Sequence, residues 1–204
     1  MRLLKASFRE LTSLGVYMVD NREIEVKFLE IDKSKLIAKL NSLGAEDKGE
    51  SHVAEMIFYD KDMKWRDEKN KFLRLRKTKD DSTLTYKHQL ADTVDGTLEL
   101  EVKVSDYDTT KEILVASGLV LYRHQEKIRH KFLIDDIVVD IDTWPKVPTY
   151  AELEGPSEKS LQVVASKLEF EWNKAEFGTA RFVIEKHYGI PVSNLKYFTF
   201  DKIE

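Results

Sequence analysis

Glu23, Glu25 and Lys27 take alternate positions in EIEVKF, and nearly the same string returns as ELEVKV at 99–104. Residues two apart on a strand share a face, roughly 7 Å from each other. Like-charge pairs at that spacing are Glu23/Glu25, Arg74/Arg76, Glu99/Glu101, Lys127/Arg129, Asp140/Asp142 and Glu152/Glu154, joined by Lys27 and Lys87. The set holds eight carboxylates and six cations. Lys and Arg prefer phosphate oxygens, and Arg can fork onto two at once. Clustered carboxylates without cysteine suit hard cations such as Mg²⁺ or Mn²⁺. A polyphosphate–metal complex needs both kinds of group together.

The pairs must be held by strands. REIEVKFLEI, KFLRLRKT, STLTYKHQ, GTLELEVKVSD, YRHQEKIRHKFLID, DIVVDIDTW and PTYAELEGP all read as extended, and KTKDDS is a hairpin loop. HVAEMIFYD adds a strand or two, and KWRDEKNKFL is polar and turn-like. Asp32 can cap a helix with Leu36, Ile37, Leu40 and Leu43 on one side and Gly44 at its end. A second helix covers YDTTKEILVASGLV, with Asp108 or Thr109 as cap. The stretch from Ser157 to Gly189 reads as helical, with a break near Gly178. Each half of the chain therefore runs from an E-x-E-x-K strand through a short helix to more strands. This weak repeat suggests one domain of two similar halves over 18–204.

The plainer reading of any one pair is a solvated sheet face. Six pairs together favour another arrangement, because like charges side by side repel. About eight antiparallel strands can close into a barrel with room for one small ligand. The expected fold class is thus α+β, a closed eight-stranded antiparallel barrel or tunnel with a charged lumen and helices on its apolar outside.

Bulk properties set limits. The chain has 204 residues, a net charge of −4 and no cysteine, which excludes thiol catalysis, disulfides and thiolate metal sites. The acidic balance argues against broad nucleic-acid binding. No run is long enough for a signal peptide or a membrane span, so a cytoplasmic protein is expected. An amphipathic helix is expected around Leu3–Leu14; Met18 is a candidate start, which makes residues 1–17 an N-terminal extension. His88, His124 and His130 read as packing or surface groups, as do Trp65 and Trp172. Trp144 stands close enough to Asp142 for a place at a tunnel mouth.

In order along the chain, E-x-E-x-K at Glu23–Lys27, FLRLRK, LTYK, ELEV, EKIRHKF, VVDIDTW and YAELEG resemble the CYTH family, or triphosphate tunnel metalloenzymes. The family includes thiamine triphosphatases, inorganic triphosphatases and class IV adenylyl cyclases. The resemblance spans about residues 22–190 and leaves residues 1–17 without a counterpart. It implies Glu23, Glu25, Asp142, Glu152 and Glu154 as ligands of Mg²⁺ or Mn²⁺, with Asp140 sharing the Asp142 stretch. Lys27, Arg74, Arg76, Lys87, Lys127 and Arg129 would grip phosphates, while Glu99 and Glu101 orient those cations or hold a second metal. Lys27, Glu99 and Glu101 are the candidates for the catalytic step. The leading expectation is metal-dependent hydrolysis of a triphosphate. A class IV-type adenylyl cyclase is the runner-up, and a non-catalytic phosphate binder is the third reading. The expected partner is a small-molecule triphosphate, with no nucleic acid or membrane; a homodimer is left open.

Overall fold

The computed structural model describes residues 8–10, 17–19, 22–68, 70–91, 93 and 96–204, with side chains described from Ile24 onward. In chain order the elements are β1 (Phe8–Glu10), β2 (Tyr17–Val19), β3 (Arg22–Glu23), β4 (Glu25–Phe28), α1 (Lys33–Ser42), β5 (Glu46–Tyr59), α2 (Lys64–Asp67), β6 (Lys71–Lys77), β7 (Ser82–Gln89) and β8 (Thr97–Lys103). There follow α3 (Tyr107–Ala116), β9 (Val120–Ile134), β10 (Ile137–Thr143), β11 (Tyr150–Glu154), α4 (Glu158–Lys167), α5 (Ala180–Tyr188) and β12 (Tyr197–Phe198). Short 3₁₀ turns occupy Trp172–Lys174 and Val192–Asn194.

Period-two alternation of charged and apolar residues builds a strongly curled antiparallel sheet. Its strand order is β3-β8-β7-β6-β5-β9-β10-β11-β4, with β12 added in parallel to β9. The two ends of that path are successive pieces of one stretch, parted only by Ile24. Arg22 and Glu23 pair with Leu98 and Thr97, whereas Glu25–Phe28 pair with Ala151–Glu154.

The apolar rows face outward onto helices. Val26, Phe28, Val139, Ile141, Ala151 and Leu153 pack with Leu36 and Leu40 of α1 and Leu161, Val164 and Ala165 of α4. Each such aliphatic side chain contributes about 1.5–3 kcal/mol when fully buried. A second cluster sets Phe58 and Leu75 against Leu114 of α3. Side chains cap the starts of α1 and α5: Asp32 accepts from Lys35 N at 3.0 Å and Thr179 accepts from Phe182 N at 3.3 Å. Gly189 ends α5 at φ 65°, a left-handed conformation that glycine adopts without a Cβ clash.

Three local expectations need correction. The cap of α3 is Asp106, which is extended and accepts from Thr109 N at 2.8 Å. The stretch from Ser157 to Gly189 is two helices, α4 and α5, separated by residues 168–179. Phe170 leaves the helical path to stack on Phe28 at 4.5 Å, and Glu176 pairs its backbone with Lys27 at 2.9 Å in both directions. Burying an aromatic ring and satisfying the edge of β4 outweighs another helical turn. Of Leu3–Leu14, only Phe8–Glu10 lies among the described residues, and it is a strand paired with Tyr17–Val19 rather than helix. No helix among the described residues is long and apolar enough to cross a membrane.

Candidate active site

The charged rows of the curled sheet face a cavity of about 660 Å³. Of the expected site residues, Glu25, Arg74, Arg76, Lys87, Glu99, Glu101, Lys127, Arg129, Glu152 and Glu154 all line it. They come from β4, β6, β7, β8, β9 and β11, so segments far apart in sequence meet at one place. The Glu23 side chain lies outside the described residues.

Two expected residues stand behind the wall rather than in it. Lys27 is 1% exposed, and its ammonium donates to Glu25 Oε1 at 2.8 Å and to Gly178 O at 2.9 Å, with Glu152 Oε2 at 3.2 Å. An ammonium has three donors; two are spent on Glu25 and Gly178, and Glu152 lies in ion-pair range. Burial alone would lower the Lys27 pKa, but Glu25 and Glu152 outweigh it and hold the group protonated well above its usual range. Asp142 is fully buried. Its Oδ1 accepts from Arg129 Nε at 2.6 Å, and its Oδ2 accepts from Arg129 Nη2 at 2.6 Å and Lys127 Nζ at 2.7 Å. Burial would raise its pKa; Arg129 and Lys127 bring it below the usual carboxylate range. Asp140 also faces inward and pairs with Arg129 Nη1. Burial keeps its pKa raised despite Arg129 and Lys131.

Arg129 is therefore an organiser of carboxylates. Its guanidinium reaches Asp140, Asp142 and, at 2.9 Å, Glu152 Oε1. That leaves few of its five N–H groups for a ligand. Arg76 is the opposite case: Nε donates to Glu55 Oε1 at 2.9 Å, and its Nη groups make no hydrogen bond among the described residues. Lys127 spends one donor on Asp142 and lies 5.1 Å from the centre of the Trp144 ring. On the facing strands, Arg74 contacts Thr85 and Glu99 at 3.4 Å each, and Thr85 Oγ1 donates to Glu101 Oε2 at 2.7 Å.

Glu55, Gln125, Arg123 and Arg181 also line the cavity and were not singled out from the sequence. Glu55 accepts from Arg76 and, at 2.6 Å, from Gln125 Nε2. A signal for Arg123 and Gln125 was present: they extend the alternate-position row of Lys127 and Arg129 back along YRHQEKIR. Nothing local marked Arg181, which enters from α5. Trp144 lines the cavity too, stacked on Phe198 at 5.7 Å. His124 stacks on Tyr197 at 5.3 Å, His130 bonds Asp47 at 2.7 Å, and Trp172 lies 6.2 Å from Phe28.

The donor set suits a hard divalent cation. Glu154 and Glu25 are direct cross-strand partners and both line the cavity. Like charges so placed are destabilising unless a cation lies between them, and carboxylate oxygens are the ligands Mg²⁺ and Mn²⁺ take. Glu152 is the third carboxylate on the same side. Among the described residues no three acidic or histidine side chains are gathered closely enough to hold a metal ion, and Lys27 pairs with Glu25 and Glu152.

A family model for the CYTH domain matches residues 21–180. The chain belongs to the CYTH family. CYTH proteins are metal-dependent enzymes, acting as triphosphatases or adenylyl cyclases. A Methanocaldococcus jannaschii protein named "putative adenylate cyclase" is 29% identical over 133 residues, which cover 65% of this chain and 75% of the relative. Solved CYTH-like structures share the fold. A Pyrococcus horikoshii protein aligns with a TM-score of 0.64 at 23% identity, over 76% of this chain and 94% of its own. A Vibrio parahaemolyticus protein described as a putative adenylate cyclase aligns at 0.68 and 14%, over 81% and 98%. A Hippeastrum protein described as a putative adenylyl cyclase with a dominant triphosphatase activity aligns at 0.60 and 14%, over 80% and 95%.

Proposed function

We propose that this CYTH protein hydrolyses a triphosphate compound in a divalent-cation-dependent reaction inside a closed eight-stranded tunnel. One observation carries the reading: acids and bases from seven strands line one cavity, with the carboxylates Glu25, Glu152 and Glu154 on the neighbouring strands β4 and β11 and the cations Arg74, Arg76 and Lys127 on β6 and β9. Closure is supported by the Arg22–Phe28 stretch, which pairs with β8 at its start and β11 at its end.

Glu25, Glu152 and Glu154 would hold the cation, which supplies charge neutralisation and polarisation at phosphate oxygens. Arg76 and Lys127, with donors to spare, bind the phosphates, and Arg74 and Lys87 add charge. Arg129 holds Asp142 and Glu152 in place, and Lys27 pairs with Glu25 and Glu152. Glu101, which accepts from the Thr85 hydroxyl, would accept a proton from an attacking water. Preorganised charge of this kind is the main resource for phosphoryl transfer.

Adenylyl cyclase activity is the second reading, favoured by the name of the Methanocaldococcus jannaschii relative. The Hippeastrum neighbour's described triphosphatase activity keeps hydrolysis first. Incubation with tripolyphosphate, thiamine triphosphate and ATP, each with Mg²⁺ or Mn²⁺, separates the readings. Phosphate release supports hydrolysis, cyclic AMP supports the cyclase, and neither product overturns both.

A further inference from the structure

Pairing along β8 stops short on one side. β3 covers only Thr97 and Leu98 of β8, and Tyr17–Val19, the strand just upstream, pairs with Phe8–Glu10 instead. From Leu100 to Lys103, β8 has β7 on one side and, among the described residues, no strand on the other. Val104 N donates to Ser82 O of β7 at 2.9 Å. Alternation along the ladder then turns the backbone groups of Leu100 and Val102 toward β7 and those of Glu101 and Lys103 toward the open side. Such an edge is a template for pairing with another chain.

The outward face of the same stretch is bare. The apolar rows of β4, β10 and β11 lie under α1 and α4, but Leu100 is 47% exposed and Val102 57%. Leu84 of β7, directly opposite Val102, is half-buried. Edges meant to stay in water are commonly blunted by proline or a bulge. Residues 97–103 contain no proline, and their register with β7 runs unbroken.

A second copy of the chain fits this edge in one register. Two identical antiparallel strands are related by a two-fold axis, and residues directly opposite share a face. With the axis at Val102, Glu101 stands opposite Lys103 of the partner subunit, and Lys103 opposite the partner's Glu101. On the outward face Leu100 then meets the partner's Val104. An axis at Glu101 or at Lys103 sets like charges against each other, and one at Leu100 sets Glu99 against the partner's Glu101. An axis between two residues sets charged side chains against apolar ones. The Val102 register also joins the open backbone groups of Glu101 to those of Lys103. Lys103 gives two hydrogen bonds to Asp81, at 2.9 and 2.8 Å, and its third donor serves the second carboxylate.

We infer that the protein forms a homodimer by antiparallel pairing of β8 with β8 of a second copy, on a two-fold axis at Val102. The two sheets become continuous, and Leu100 and Val102 of both copies make one apolar stripe. Each cavity wall gains Lys103 of the partner subunit beside its own Glu101, so the site is completed across the interface. The inference holds whatever ligand the cavity takes.

Sedimentation velocity of the full chain over a dilution series is the test. The wild type should sediment as a dimer at the concentrated end. Val102→Asp sets two carboxylates face to face on the axis and removes two valines from the interface, so dimerisation should weaken at least about tenfold. Circular dichroism checks that the variant folds. A second measurement uses the absence of cysteine from the chain. Val102→Cys puts two thiols opposite each other with Cα atoms about 4.5–5.5 Å apart, within disulfide range. Under a mild oxidant it should cross-link the dimer, whereas Ile113→Cys, at a position 58% exposed on α3, should not. A monomeric wild type overturns the proposal. So does a dimer that Val102→Asp leaves intact, or cross-linking no faster with Val102→Cys than with Ile113→Cys.

Discussion

Glu154 of β11 stands directly opposite Glu25 of β4 in the antiparallel ladder, both facing the cavity. Lys27 compensates Glu25 from behind, at 2.8 Å. The pair therefore presents negative charge to the lumen, and a divalent cation should bind there. Mg²⁺ or Mn²⁺ should raise the melting temperature, with about 2.7 kcal/mol gained at one hundred times the dissociation constant. Glu154→Gln should lose most of that gain. Equal metal-induced shifts in both proteins would remove Glu154 from the site.

Glu25→Gln should abolish divalent-cation-dependent phosphate release while leaving a folded protein. The amide can still accept from Lys27 but offers a weaker ligand oxygen. Steady-state turnover with circular dichroism as a control checks this, and undiminished turnover would count against Glu25 as a ligand.

Arg76→Ala should weaken binding of any triphosphate, because its Nη groups are uncommitted. Loss of a charged hydrogen-bond donor is worth about 1.5–3 kcal/mol, or tenfold and more in affinity. An unchanged dissociation constant for tripolyphosphate would show that the phosphates lie elsewhere.

Lys27→Met tests whether this lysine positions carboxylates or touches substrate. Its ammonium sits among Glu25, Glu152 and Gly178, so removal takes a buried cation away from two buried carboxylates. Breaking a buried pair costs about 3–5 kcal/mol. Added Mg²⁺ should restore part of that loss, seen as a larger melting shift than in the wild type. A variant as stable as the wild type would contradict the positioning role.

Glu55 supplies a pH signature. Burial would raise its pKa, but Arg76, Arg74 and Lys127 outweigh burial and hold it far below its ordinary value of 4.5. A folded-state pKa below the unfolded one means stability that is present above about pH 4.5 and lost as pH falls below it. Glu55→Gln should be destabilised at pH 7, and its deficit relative to the wild type should shrink on acidification. Denaturant melts at pH 7 and pH 3 measure this, and a constant deficit would refute the ion-pair account.

Alternation alone, in segments such as KFLRLRK and YAELE, was enough to place charge on one face of each strand and apolar groups on the other, because side chains two apart share a face whatever the strand pairs with. It equally marked the helix beginning after Asp32, through a cap that acts within four residues. The ordered acids and bases were enough to recognise a CYTH chain. What lies beyond the strand's own period was decided by tertiary structure. Lys27 and Asp142 share the alternation of their neighbours, yet they sit behind the wall because Gly178 and Arg129, distant in sequence, claim their polar groups. Arg181 reaches the cavity only because α5 folds back over one end of it. Local pattern fixes which way a side chain points; which partner meets it there depends on pairing register and helix packing, and these arise from contacts between segments that the sequence keeps far apart.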